Sequence, residues 1–244
     1  MSENKLNIPT EIVELPSLGL IYPESSPLSS GKIEMKYMTA REEDILTNQN
    51  YISKGTVLDK LMQSLIVSDI NYDELCVGDK NAVMVAARVL GYGKDYSVTY
   101  GGEQYNIDLS LLDNKPLDKK LFKKGVNEFE FTLPSTNTPI SFKLITHGDE
   151  KKISQEIEGL KKINKDASPE LSTRLKHMIT SVNSDRELKT IREFVDNYLL
   201  ARDSRALREY IRQIQPDVDL TFTTNDGEEA IIPINLSFFW PDIW

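Results

Sequence analysis

The sequence has little of the chemistry on which disulfide frameworks, metal centres and most catalytic sites depend. It contains one cysteine, Cys76, and two histidines, His147 and His177. A single cysteine excludes an intrachain disulfide and a cysteine-based zinc site, and Cys76, beside Leu75, is expected to be a small buried hydrophobic residue. The two histidines have no cysteine partner, so we expect them at the surface or at helix ends and not in a metal site.

Long apolar runs and excess positive charge are also missing. No stretch approaches the ~18 apolar residues of a membrane span, and the N-terminus lacks the apolar core of a signal peptide. With 29 basic and 38 acidic residues the net charge is −9, which disfavours nonspecific binding to phosphate backbones. We therefore expect no membrane partner, no nucleic-acid partner and a cytoplasmic location.

What the sequence does contain is organised around residues 31–67. Lys32 to Met38 alternates between polar and apolar residues, which predicts a half-buried strand. Thr39 and Glu42 have the spacing of a capping box at the start of a helix. A second helix begins at Thr56, where apolar residues recur at helical spacing. After it, Asp79 is predicted to cap a third and more buried helix that ends at two glycines.

The amino-acid sequence of this region resembles a known protein family. The run EMKYMTAREEDILTNQNYISKGTVLDKLMQSLI, with LPSLGLIYP before it and VGDKNAVMVAARVLGYG after it, is similar to the baseplate-hub proteins of T4-like contractile-tailed phages. Members of this family are hub subunits or hub assembly chaperones. The resemblance covers roughly residues 13–110 and includes no catalytic motif; beyond that it is one of layout only.

The segment LPSLGLIYP is apolar and interrupted by two prolines and a glycine, so we expect it to run extended over a surface. Two interpretations stay open: an arm packed on its own domain, and an arm that reaches a neighbouring subunit. The second makes partner-binding residues of Leu18, Leu20, Ile21 and Tyr22.

Three hairpins follow from alternation around turn residues. The first turns at Gly101-Gly102, the second spans Val126 to Leu144, and the third turns at 225–227. Between the second and third hairpins, four helices are predicted, with apolar stripes too narrow to stand alone. One stripe runs from Leu171 to Val182. Another begins after Ser184 and Glu187, which repeat the capping-box spacing.

These elements predict an α+β fold with an N-terminal strand and helical pair, hairpins that form one antiparallel sheet, an inserted bundle of three to four helices, and a C-terminal hairpin with an aromatic tail. A separate all-α domain with a terminal hairpin is the alternative. The expected division is an extended arm (1–30), a front domain (31–93), a hairpin region (94–148), a helical bundle (149–215) and the C-terminal hairpin and tail (216–244).

The C-terminal segment NLSFFWPDIW is dense in aromatic residues. Phe238, Phe239, Trp240 and Trp244 either complete the protein's own core or anchor a partner, because Trp and Phe are favoured at interface hot spots.

No nucleophile, general base and orienting group occur together in a recognisable motif. We therefore predict a non-enzymatic protein without cofactor or metal, which assembles with other baseplate hub or tail proteins in the host cytoplasm or in the virion tail. The competing hypothesis is an enzyme that modifies small molecules or carbohydrates on a sheet-plus-helix fold.

Overall fold

The computed structural model describes residues 8–163 and 169–239 and confirms the α+β class. The elements of the first part of the chain are β1 (Thr10–Glu14), β2 (Lys32–Lys36), α1 (Ala40–Leu46), α2 (Gln49–Ser53), α3 (Val57–Leu65), α4 (Val77–Tyr92), β3 (Asp95–Tyr100) and β4 (Glu103–Asp108). Those of the second part are β5 (Phe129–Thr132), β6 (Pro139–Phe142), α5 (His147–Ile163), α6 (Glu170–Met178), β7 (Ile179–Val182), α7 (Leu188–Asn197), α8 (Ala201–Ile214), β8 (Thr221–Thr223), β9 (Glu229–Ile231) and α9 (Leu236–Phe239).

All three predicted hairpins form, and the first turns on two glycines with positive φ, Gly101 at 59° and Gly102 at 87°. They do not share one sheet, however. β3–β4 and β8–β9 are separate two-stranded sheets, whereas β5–β6 is extended by β7. The prediction of a single sheet was therefore wrong, because alternation shows that a strand is half-buried without showing which strand lies beside it.

Strand β7 also corrects the predicted helical block. The stripe from Leu171 to Val182 is helical only as far as Met178 and then continues as a strand against β6. The residues Ile-Thr-Ser-Val of β7 include three β-branched side chains, which favour a strand. Apolar spacing alone does not separate the last turn of a helix from a short strand that follows it.

The chain consists of two halves that repeat the same order of elements, a feature that the sequence analysis did not identify. The first half has a strand pair β1–β2, then α1, α3, α4 and the hairpin β3–β4. The second half has a strand pair β5–β6, then α5, α6, α8 and the hairpin β8–β9. Helix α2 in the first half and helix α7 in the second are additions to this common plan.

The two strand pairs share the sequence that follows their first strand. A Leu-Pro-Ser sequence follows the first strand of each pair, and its leucine, Leu15 or Leu133, is fully buried. The N–H of Leu15 donates to the carbonyl of Gly31 at 2.8 Å, and the N–H of Leu133 donates to the carbonyl of Thr138 at 3.0 Å. In both halves, therefore, the leucine N–H closes the connection between the two strands with the same kind of backbone hydrogen bond.

Each second strand leads into a lysine, a threonine and an acid spaced three residues apart. The two sets are Lys36, Thr39 and Glu42 in the first half, and Lys143, Thr146 and Asp149 in the second. The acid accepts the threonine N–H at 3.0 Å in the first half and 3.2 Å in the second. It also binds the lysine Nζ, at 2.8 Å and 2.7 Å respectively.

In both halves the chain returns to the second strand of the pair after the second helix of the common plan, which is α3 in the first half and α6 in the second. Ile66, which directly follows α3, bridges to Met35 of β2. Ile179, which directly follows α6, pairs with Phe142 of β6. All four side chains lie in one hydrophobic core, three of them buried and Ile66 partly buried.

The two halves join through backbone contacts at the start of α4. Cys76 bridges to Thr146, and the N–H of His147 donates to the carbonyl of Leu75 at 2.7 Å. Two residues after Cys76, a Cβ placed on Gly78 would lie 1.8 Å from the carbonyl oxygen of Pro216. Only glycine permits this approach, because the neighbouring atom is backbone and has no rotamer to adjust.

We therefore predict opposite effects from two glycine-to-alanine substitutions in helices. Gly159→Ala, in the interior of α5 where nothing lies within 4 Å of the new Cβ, should raise the free energy of unfolding by about 0.5–1 kcal/mol, since alanine is the better helix former. Gly78→Ala should lower it by about 1–3 kcal/mol, because the methyl group overpacks the junction. Urea unfolding of both variants measures this, and a Gly78→Ala variant as stable as the natural chain would contradict the described junction.

Candidate functional sites

The segment LPSLGLIYP is held against its own half. Ile21 and Tyr22 are buried and Leu20 is partly buried, whereas Leu18 is 40% exposed. Ile21 and Tyr22 are therefore not partner-binding residues in this fold, as one interpretation of the sequence had them. The prolines and the glycine bend the segment into turns that return it to the core.

Asp79 holds this segment in place. The carboxylate accepts the Ser17 N–H at 2.8 Å, the Ser17 hydroxyl at 2.6 Å and the Tyr22 hydroxyl, and that hydroxyl accepts the N–H of Cys76 at 2.9 Å. Burial raises the pKa of Asp79 and also that of Tyr22. Asp79 is the third residue of α4 and therefore not the N-terminal cap that the sequence predicted. Its carboxylate instead binds Ser17 and Tyr22 of the segment LPSLGLIYP.

The second half has the same arrangement. Asp203 is the third residue of α8 and fully buried, and its carboxylate accepts the Ser135 N–H at 2.7 Å and the Thr136 hydroxyl at 3.0 Å. Burial alone would raise the pKa of Asp203, but these hydrogen bonds lower it. Both halves thus fix the turn after Leu-Pro-Ser to the start of a helix through a buried carboxylate.

The aromatic residues near the C-terminus lie in the core as far as the structure describes them. Phe238 and Phe239 are both 0% exposed, and the Phe238 ring packs edge-on against Tyr96 with centroids 4.9 Å apart. The partner-anchor interpretation is therefore wrong for these two residues. Trp240 and Trp244 lie outside the described residues.

Both histidines lie at helix ends, as expected, but neither side chain is exposed. His147 is 4% exposed at the start of α5, where its Nδ1 lies 3.1 Å from Lys80 Nζ and its Nε2 lies 3.1 Å from Asp59 Oδ2. It therefore joins the second half to α3 and α4 of the first. Burial alone would raise the pKa of Asp59, but His147, Lys80 and Lys151 together lower it. His177 is partly buried and contacts Glu156 at 2.9 Å.

A cleft of about 640 Å³ lies beside this polar contact between the halves. Asp73, Glu74 and Asp149 line it together with Lys151 and Lys152. The ion pair from Lys151 to Asp73, at 2.6 Å, neutralises part of this lining. The cleft therefore presents mixed charge without a preference for ligands of one sign.

An apolar groove of about 370 Å³ lies between β1 and α4. Its apolar lining comes from Ile12, Val13, Ala82, Val85, Ala86, Val89, Leu90, Leu109, Leu112 and Val218. Ile12 is 60% exposed. We call this site the β1–α4 groove.

The corresponding surface of the second half is neither open nor apolar. When the Leu-Pro-Ser sequences and the buried aspartates of the two halves are aligned, Ile12, Val85 and Val89 correspond to Glu130, Glu209 and Gln213. These three residues of the second half are polar and exposed.

The side chains at the centre of the surface differ as well. Val13 and Ala86 correspond to Phe131 and Tyr210, whose rings stack with centroids 5.0 Å apart. Large aromatic side chains thus occupy the second half at the point where small ones leave the first half open. The β1–α4 groove is therefore a feature of the first half alone, not of the common plan.

The charged residues that line the β1–α4 groove are all acidic: Glu11, Glu14 and Asp113. Glu14 is paired with Lys32 at 2.9 Å, and Glu11 accepts the Tyr37 hydroxyl at 3.2 Å. No lysine or arginine is among the lining residues that the structure describes. The groove is thus apolar inside and acidic at its rim, where the charge of Glu14 is offset by Lys32.

Comparison of the chain with protein-family models, with curated proteins and with solved structures found no match. Within residues 8–163 and 169–239, no three His, Cys, Asp or Glu side chains are placed to hold a metal ion. No helix in that part of the chain has the length and apolar character to cross a membrane.

Of the two predicted capping boxes, the structure contains the first and not the second. Thr39 and Glu42 adopt the arrangement at the start of α1, and the Thr39 hydroxyl donates to the Glu42 carboxylate at 2.6 Å. Ser184, by contrast, lies in a turn with φ of 68°, and the N–H of Glu187 donates to Asp185 at 2.8 Å. After the tight turn that follows β7, it is Asp185 that accepts the N–H of Glu187, the residue directly before α7.

Glu42 collects more donors than a capping box requires. Its carboxylate is fully buried and also accepts Lys36 Nζ and the Ser64 hydroxyl, each at 2.8 Å. Burial alone would raise the pKa of Glu42, but the hydrogen bonds from Lys36, Thr39 and Ser64 lower it to about 2. The carboxylate therefore ties β2, α1 and α3 together in its charged form.

Glu42→Gln should lower the free energy of unfolding at pH 7 by on the order of 3 kcal/mol, because the charged form is favoured in the folded state. This contribution is complete above the ordinary glutamate pKa and is lost as the pH falls towards about 2. The difference between the natural chain and the variant should thus shrink by roughly half or more between pH 7 and pH 3 in urea unfolding. Glu43→Gln, at an exposed neighbour, is the control and should cost less than about 1 kcal/mol. A Glu42→Gln deficit that does not change with pH would contradict this role.

Proposed function

We propose that the chain is an assembly component of a contractile-tail baseplate hub, either a hub subunit or a hub assembly chaperone, and that it acts through protein–protein contacts without enzymatic activity. The resemblance over roughly residues 13–110 supports the proposal, because the proteins of that family are subunits or assembly chaperones of the hub. In this proposal the partners are other hub or tail proteins, and the place of action is the host cytoplasm or the virion tail.

The observation that carries the proposal is the β1–α4 groove. Except for Val218, its lining comes from the half that bears the resemblance, and it presents apolar surface with Ile12 60% exposed. Such a surface rimmed by polar residues is typical of sites where proteins associate. The second half, where the resemblance is one of layout only, carries polar residues at the matching positions.

A nonsense allele of the coding sequence in the phage that encodes this chain tests the proposal. We expect infected cells to accumulate filled heads without contractile tails under the electron microscope, and expression of the full chain in trans to restore them. Mass spectrometry of purified virions then separates a hub subunit, which is present, from a chaperone, which is absent. Normal numbers of tailed infectious particles from the nonsense allele would overturn the proposal.

A further inference from the structure

The β1–α4 groove runs along a strand edge that has no partner among the described residues. Consecutive residues from Glu11 to Glu14 all line it. Since successive side chains of a strand point to opposite faces, one face alone cannot supply all four. The groove therefore follows the edge of β1, where both faces meet.

The pairing of β1 with β2 shows which backbone groups this edge presents. The N–H of Leu15 donates to Gly31, and the N–H of Tyr37 donates to the carbonyl of Pro9. These bonds fix the alternation of an antiparallel pair, so odd-numbered residues of β1 bond to β2 and even-numbered residues direct their N–H and C=O groups outward. Thr10, Ile12 and Glu14 thus direct their backbone groups away from β2, and Ile12 and Glu14 line the groove. In the part of the chain that the structure describes, β2 is the only strand paired with β1.

The lining sets the chemistry of an occupant. Val13, Ala82, Val85, Ala86 and Val89 form narrow apolar walls suited to aliphatic side chains. At the rim, Glu11 and Asp113 favour positive charge at the ends of whatever lies between, whereas the charge of Glu14 is offset by Lys32. A free strand edge beside apolar pockets is the arrangement that binds extended peptides by strand addition.

We propose that the β1–α4 groove binds an extended segment of a partner protein, with aliphatic residues at alternate positions and lysine or arginine at its flanks, and that this segment adds as a strand to the outer edge of β1. The inference rests on the proposed function and specifies where and how the partner is bound. The second half serves as an internal comparison, because there Phe131 and Tyr210 fill the equivalent space and Glu130, Glu209 and Gln213 cover it with polar groups.

The same comparison supplies a variant that should fold. Ile12→Glu with Val89→Gln installs on the first half the residues that the second half carries at Glu130 and Gln213. Both changes fall on side chains that are exposed or partly buried. The matched control is Glu130→Gln with Gln213→Glu, which alters the equivalent positions of the second half and leaves the groove intact.

The probe is a displayed library of short random peptides, selected on the full-length protein. We expect enriched peptides with alternating aliphatic residues and Lys or Arg flanks. Synthetic versions should bind the Ile12→Glu/Val89→Gln variant at least about tenfold more weakly in fluorescence anisotropy, because strand addition needs the apolar pockets, and should bind the control variant as well as the natural chain. In hydrogen exchange, the bound peptide should slow the amides of Thr10, Ile12 and Glu14.

Four results would overturn the inference. They are a selection that yields no peptide dependent on the groove, enriched peptides with acidic flanks, amides of Thr10, Ile12 and Glu14 that are already protected in the free monomer, and self-association that the variant abolishes. The last two would make the occupant a segment of this chain or a second copy. Because binding is measured on purified protein, the result does not depend on tail assembly. A nonsense allele that loses tails, together with a groove variant that binds peptide normally, would leave the proposed function standing and the inference wrong.

Discussion

The fold depends on a carboxylate buried at the start of a helix. In each half the chain leaves its first strand through Leu-Pro-Ser and makes a turn whose backbone donors would be unsatisfied inside the protein. Asp79 and Asp203 accept those donors from the first turn of α4 and α8. Because the same side chain fixes the turn and the helix, it sets the position of the strand edge relative to the helix beside it. The β1–α4 groove is the space that this arrangement leaves open.

A shared plan with divergent side chains explains how one half carries an open groove while the other does not. The strand registers, the Lys-Thr-acid sets and the returning isoleucines recur in both halves, so the backbone framework is held by the same contacts twice. The halves differ at the surface between the first strand and helix α4 or α8. Aromatic stacking closes this surface in the second half, and small aliphatic residues line it in the first. At the junction, the close approach of Gly78 to Pro216 and the contact of His147 with Asp59 fix the halves against each other.

The sequence predicted what short-range chemistry decides and missed what needs long-range pairing. The hairpins, the strand at 32–36 and the Thr39–Glu42 cap were predictable, because a turn or a cap requires particular residues within a few positions. Asp79 looked like a cap and β7 looked like helix, since their roles come from Ser17 and β6, which are distant in sequence. The repeat was present as two Leu-Pro-Ser sequences and two Lys-Thr-acid sets, but loops of unequal length hid their common spacing. The groove follows from the differences between the repeats, so it could not be predicted before the repeat was recognised.

Removal of each buried acceptor in turn tests the central claim most directly. Hydrogen exchange and urea unfolding of Asp79→Ala and Asp203→Ala should show that each substitution lowers the free energy of unfolding by about 1–3 kcal/mol, as expected when buried donors lose their acceptor. The loss of amide protection should be local to each half, at Ser17 in the first variant and at Ser135 in the second. If Asp203→Ala leaves both the stability and the Ser135 amide unchanged while Asp79→Ala does not, the two halves are not held by the same interaction and the repeated, buried carboxylate does not hold the fold.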